Sequence, residues 1–227
     1  MSILAVASNV ERYQYAHKSD QKHDENAPEN VKLVQRAFRL YNPAISDATI
    51  LTFVDVSKAY GLSDDPDVFR KCVGQICLES NAKQSAISKG NAMGMGQIVP
   101  TTAFGILHKL DSVEQAKMRS LGATDIVWAV RGKYAIVEDS TGRKFILPSA
   151  LREKTKKWLR NERNNIILWA HIMSRKSKKV GFDRALLSYR MGEGAAKNYV
   201  GSPVDHPYIK KIYLISNKLQ KMEGGAE

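Results

Sequence analysis

The stretch Glu79-Ser80, followed after residues 81–87 by Ser88-Lys89-Gly90-Asn91-Ala92-Met93-Gly94-Met95-Gly96-Gln97-Ile98-Val99-Pro100-Thr101-Thr102-Ala103, decides how this chain is read. It puts one carboxylate at the end of an amphipathic helix. A small-residue loop then runs to a Gln and a second helix opened by a Pro. From Ser80 to Leu110 there is no Asp and no Glu. A site built around Glu79 therefore has one acid and no carboxylate near it in sequence.

The helix before Glu79 follows from side-chain chemistry. Asp65 is an N-cap acceptor, and Pro66 suits the first helical position, where its missing N–H is not needed. Phe69, Val73 and Ile76-Cys77 recur at helical spacing and define a core face. Glu79 lies on that side, about one turn beyond Ile76. A carboxyl held against apolar neighbours has its charged form disfavoured and can keep a proton near neutral pH, as a general acid requires. The bland alternative is an exposed residue at a helix end, where most Glu residues lie.

The segment after Glu79 resembles the soluble lytic transglycosylase family, relatives of goose-type lysozyme. That family's pattern is Glu-Ser, a Ser before Gly-x-Ala-x-Gly-Leu-Met-Gln, then x-x-Pro-x-Thr-Ala. Glu79, Ser80, Ser88, Gly94, Gln97, Pro100, Thr102 and Ala103 fall in register. Asn165-Ile166 looks like the family's Asn-Ile helix, and Ala185 to Gly194 like its Ala-Tyr-Asn-x-Gly motif. The segment His206-Pro207-Tyr208-Ile209-Lys210-Lys211-Ile212 is similar to its closing helix. The likeness covers roughly residues 64–109 and 160–215. Two positions depart from it. Met95-Gly96 stands for Leu-Met, removing a side chain beside the cleft, and Arg190 stands for the Asn, exchanging an amide for a guanidinium without an acceptor.

The resemblance implies a mainly α, lysozyme-like fold and a peptidoglycan lytic transglycosylase. In its reaction Glu79 protonates the leaving oxygen, the sugar's acetamido oxygen acts as nucleophile, and 1,6-anhydro-muramic ends form without water. By the same resemblance Glu79, Ser88 and Tyr189 are catalytic, the last two bonding Glu79 or the acetamido group. Ser80, Gly94, Met95, Gln97, Asn165 and Arg190 then bind substrate. Other roles stay open: Ser88 as a loop cap, Gln97 as a backbone partner, Tyr189 as a core residue. A distant Asp, such as Asp111 or Asp183, reaching the cleft would make a hydrolysing lysozyme instead. A structural virion adaptor or DNA-ejection protein that keeps the fold is the alternative of another class.

Working outward, 227 residues at 43% hydrophobic and 26% charged suffice for one substantial core. Residues 1–27 read as a flexible arm, 28–63 as an N-terminal helical extension outside the motif-bearing core, and 64–222 as the lysozyme-like domain. Helices are expected from Pro28 to Tyr41 and from Asp47 to Tyr60. A small antiparallel β insertion is expected at about 124–148, with strands at 126–130, 134–137 and 144–147. Cys72 and Cys77, five residues apart on one helix, would have Cα atoms about 8 Å apart, too far to bridge, and read as packing thiols. No metal or other cofactor is expected.

Charge is concentrated. Of a net +12, residues 143–184 hold +10, with 13 basic residues against Glu153, Glu162 and Asp183. Trp158 and Trp169 lie among them. Such a cluster attracts anionic polymers: a carboxylate-rich wall, anionic lipid or nucleic acid. No run of 18 apolar residues exists, so no transmembrane segment is expected. Residues 1–11 make a poor secretory signal. A wall enzyme without an export signal reaches its substrate through cell lysis, a phage particle, a secretion machine or a holin. Of these a phage particle is the expected setting, with peptidoglycan as substrate, other tail or ejection proteins as partners and the periplasm as the place of action.

Overall fold

A computed structural model describes residues 27–124, 135–139, 142–146 and 149–223. The expected arm and the 126–130 strand lie outside the described residues. The protein is mainly α. Helices α1 (Glu29–Tyr41) and α2 (Asp47–Ala59) are followed by α3 (Pro66–Ser80), α4 (Pro100–Leu107) and α5 (Ser112–Ser120). After a β-hairpin come α6 (Ser149–Arg160), α7 (Glu162–Val180), α8 (Phe182–Met191), α9 (Glu193–Asn198) and, past a 3₁₀ turn at Pro203–Asp205, α10 (Pro207–Glu223).

Local chemistry sets the ends of these helices. The Ser46 hydroxyl accepts from Thr49 N to open α2. Asp65 accepts from the Asp67 and Val68 amides, with Pro66 next, and opens α3 as its sequence requires. Asn81 (φ +52°) and Ala82 (φ +54°) stop it with two consecutive left-handed residues.

Central to the core is α7, whose residues from Asn164 to Ser174 are all buried. A helix apolar on every side must be surrounded, and aromatic contacts show by what. Phe53 of α2 touches Phe38 of α1 (5.0 Å between ring centroids), Phe69 of α3 (6.0 Å) and Trp169 of α7 (5.3 Å, stacked). Residues 28–63 thus share one core with the motif-bearing helices, where the sequence reading sets them outside it. Each such phenyl ring contributes about 1.5–3 kcal/mol by burial, which is why the extension is held rather than appended.

The hairpin pairs β1 (Ala135–Asp139) antiparallel to β2 (Gly142–Ile146), with Ala135 opposite Ile146 and Asp139 opposite Gly142. Both strands are shifted toward Asp139 and Gly142 relative to the 134–137 and 144–147 that the spacing of apolar residues suggests. Cys72 and Cys77 are free and buried, and burial pushes both thiols up. Among the described residues, no helix is long and apolar enough to cross a membrane.

The basic segment divides in two. Arg163, Lys176 and Arg184 are spent inside the fold, on the Leu121 carbonyl and Thr52 hydroxyl, on Ser188, and on the Ala196 carbonyl. Arg152, Lys154, Lys157 and Arg160 of α6 and Arg175, Lys178 and Lys179 of α7 are exposed. Trp158 and Trp169 are core residues, their indole N–H groups donating to Thr124 O and Gln75 Oε1.

Candidate active site

Three helices converge on Glu79. It is the penultimate residue of α3 and half-buried. Tyr208, the second residue of α10 and buried, donates its hydroxyl to Glu79 Oε1 at 2.6 Å. From the end of α8, the exposed Arg190 guanidinium lies 5.6 Å from the centre of the Tyr208 ring, a cation–π distance. Tyr189 is close enough for the Glu79 charge to act on it.

Opposing effects set the proton affinity of Glu79. Burial raises it, while the Tyr208 hydrogen bond and the Arg190 charge pull it back, and the result stays above the ordinary carboxylate range. Burial also pushes both phenols well up, so each is a donor with no tendency to ionise. Among the described residues no carboxylate acts on Glu79. Asp111 caps α5 by accepting from Glu114 N. Asp183 is tied to Lys71 Nζ at 3.2 Å and to the Tyr213 hydroxyl at 2.9 Å. Both candidate second acids are thus committed elsewhere.

Several expected site residues turn out to build the loop between α3 and α4. The Ser80 hydroxyl bonds back to Ile76 O at 3.1 Å, inside its own helix. That of Ser88 accepts from Ala92 N at 3.0 Å and caps a turn, and no bond to Glu79 is present. Gln97, at φ +49°, donates Nε2 to Ala86 O and Gly94 O, pinning both limbs of the loop together. Met95 is fully buried and cannot line a cleft. Asn165 is buried too: its Oδ1 accepts from Gly96 N at 2.8 Å, and its Nδ2 donates to Met93 O and Leu159 O. Gly94 (φ +73°) lies against that amide, where a Cβ would stand 2.3 Å from Asn165 Nδ2. For Ser88, Gln97 and Asn165 these corrections share one cause: the loop's backbone needs hydrogen-bond partners, and these polar side chains supply them.

The lack of a side chain at Gly96 has a direct cause in packing. A Cβ there would lie 2.9 Å from Trp169 Cβ, so the indole occupies the space a longer residue would need. Its carbonyl accepts the Tyr189 hydroxyl at 2.5 Å. Tyr189 therefore ties the loop to α8 and makes no bond to Glu79. Glu79, Tyr189 and Arg190 come together; Ser80, Ser88, Gly94, Met95, Gln97 and Asn165 support them.

Sequence reasoning takes residues 206–212 only as a closing helix and so misses Tyr208. The tyrosine of that segment was the available signal. Gln75, one turn before Glu79, is missed too: it sits beside the Tyr208 hydroxyl and accepts from Trp169.

A separate groove of about 840 Å³ is bounded by residues 82–87 of the same loop and by Glu162, and Glu79 is not among its lining. Among the described residues, no three His, Cys, Asp or Glu side chains converge as metal ligands. Comparison with family models, with curated proteins and with solved structures finds no match to this chain.

Proposed function

We propose that the chain has a lysozyme-like fold and is a peptidoglycan lytic transglycosylase with Glu79 as its single acid. One observation carries this reading: a half-buried carboxyl with raised proton affinity, held by Tyr208, with no carboxylate acting on it among the described residues. Paired-acid glycosidases need two carboxyls, and a lone acid fits the substrate-assisted route.

Glu79 gives its proton to the glycosidic oxygen as that bond breaks, while the acetamido oxygen bonds to the anomeric carbon. The Glu79 carboxylate then takes the proton of the sugar's C6 hydroxyl. That oxygen displaces the acetamido oxygen and closes the 1,6-anhydro ring. A tethered hydroxyl outcompetes water through its effective molarity. Tyr208 keeps Glu79 oriented through both transfers, and Arg190 steadies its anionic form.

The exposed cations of α6 and of the α7 end serve to hold an anionic wall polymer. Local wall penetration by a phage particle, with contacts to tail or ejection proteins, is the setting we assign. Digestion of isolated sacculi followed by mass spectrometry tests the chemistry. Products one water lighter than those of a lysozyme, and resistant to borohydride, are expected. Reducible ends would overturn the mechanism.

A further inference from the structure

The groove behind residues 82–87 has the ingredients of a second binding site. Its floor carries Glu162, half-buried at the first turn of α7. The Thr49 hydroxyl donates to Glu162 Oε1 at 2.5 Å and is itself paired with the Ser46 hydroxyl at 2.8 Å. Among the described residues no cation bonds or pairs with this carboxyl. Burial raises its proton affinity, and the Thr49 bond is the only influence opposing that. Lys83 and Arg160 are exposed on the same lining, beside apolar surface from Ile45 and Ile87.

This combination specifies a ligand. A carboxylate sunk in a groove without a counter-ion favours an entering ammonium, which supplies both charge and donors. Exposed cations at the same groove favour carboxylates. The apolar walls and a volume of about 840 Å³ suit a short peptide better than a lone ion. A bare polysaccharide, rich in hydroxyls but without cationic groups, leaves Glu162 unmatched.

We propose that this groove binds the peptide side chain of the wall polymer, with the free amine of its diamino acid on Glu162 and its carboxylates toward Lys83 and Arg160. The choice of occupant rests on the muralytic reading of Glu79. A glycan strand in a cleft beside Glu79 carries such peptides on its lactyl groups, and the 81–98 loop borders both places. The groove would then select peptide-bearing over stripped strands.

The test uses the full chain and the soluble tetrapeptide L-Ala-γ-D-Glu-diaminopimelate-D-Ala, without sugar. Titration followed by calorimetry and by the methyl resonances of Ile45, Ile87 and Met93 should give saturable binding. Acetylating the free amine, or Glu162→Gln, should weaken it about tenfold or more, the range for losing a charged hydrogen bond. Lys83→Glu, at an exposed position with little risk to folding, should weaken it as well.

Absence of binding, equal binding by Glu162→Gln and Lys83→Glu, or equal response of the same methyls to peptide-free glycan would overturn the groove assignment. Lysis of sacculi by wild-type protein alongside any of those results would leave the Glu79 reading standing. Peptide binding that depends on Glu162, in a protein that leaves sacculi intact, would sustain the groove and sink the lytic reading alone.

Discussion

Glu79 and Glu162 are a matched pair in opposite settings. Each is half-buried, and each accepts one hydroxyl bond, from Tyr208 at 2.6 Å and from Thr49 at 2.5 Å. Burial raises the proton affinity of both. Glu79, however, closes α3, where the last carbonyls present the negative end of the helix dipole and favour the neutral acid. Glu162 opens α7, where the positive end favours the anion. Only Glu79 has a cation, Arg190, acting on it among the described residues. Helix polarity therefore adds to the effect of burial at Glu79 and opposes it at Glu162.

The sharpest way to break this contrast is Glu79→Gln. Lytic activity on sacculi should fall by roughly 10²–10⁴, the span of general acid catalysis, in a turbidity assay. Stability should not fall with it. A carboxyl whose proton affinity is raised on folding stabilises the fold fully below the ordinary carboxylate range, and that contribution is lost as pH rises through its folded value. The Gln variant lacks that loss, so at neutral pH its thermal midpoint should equal or exceed wild type. A large drop would mean Glu79 is structural.

Asn165→Ala should show the reverse profile. It strips partners from Gly96 N, Met93 O and Leu159 O, all inside the fold. A loss of about 3 kcal/mol in denaturant unfolding is expected for that many unpaired groups. Unchanged stability would return Asn165 to the substrate cleft.

For Tyr208→Phe, the expected cost is about tenfold to a hundredfold in rate, the value of a hydrogen bond to a charged group. Because that bond lowers the proton affinity of Glu79, its removal should also move the alkaline limb of the pH–rate profile upward. A rate loss without that movement would assign Tyr208 to substrate rather than to Glu79. Arg190→Asn gives the smallest effect. The limb should again move upward, and by less than for Tyr208→Phe, because an exposed charge is screened by solvent. A downward movement would reverse the assigned role of the guanidinium.

Local signals made much of the fold legible. Asp65-Pro66 marked the start of α3, and Ser46 stands at the N-cap of the helix expected from Asp47. The end of α3 next to Glu79 was visible as a change from apolar period to small residues. What could not be read is the direction in which each polar side chain faces. Ser88, Gln97 and Asn165 have the chemistry to bind a sugar, but the backbone of the loop claims them first. Phe53 likewise reads as part of an appended helix until Phe69 and Trp169 are seen around it. Spacing shows which residues share a face, whereas the identity of the neighbour across a gap of about a hundred residues is a tertiary fact.

The separation between Glu79 and Tyr208, 129 residues, has a bearing on how this protein comes into being. A ribosome adding roughly 5–20 residues per second makes α3 many seconds before α10 exists. Tyr189 likewise reaches Gly96 across 93 residues, and Asn165 reaches Met93 across 72. The loop can gain its anchors once Asn165 and Tyr189 are made, whereas Glu79 still lacks its donor. A nascent chain, or one broken before α10, therefore carries Glu79 without the Tyr208 hydroxyl that holds it.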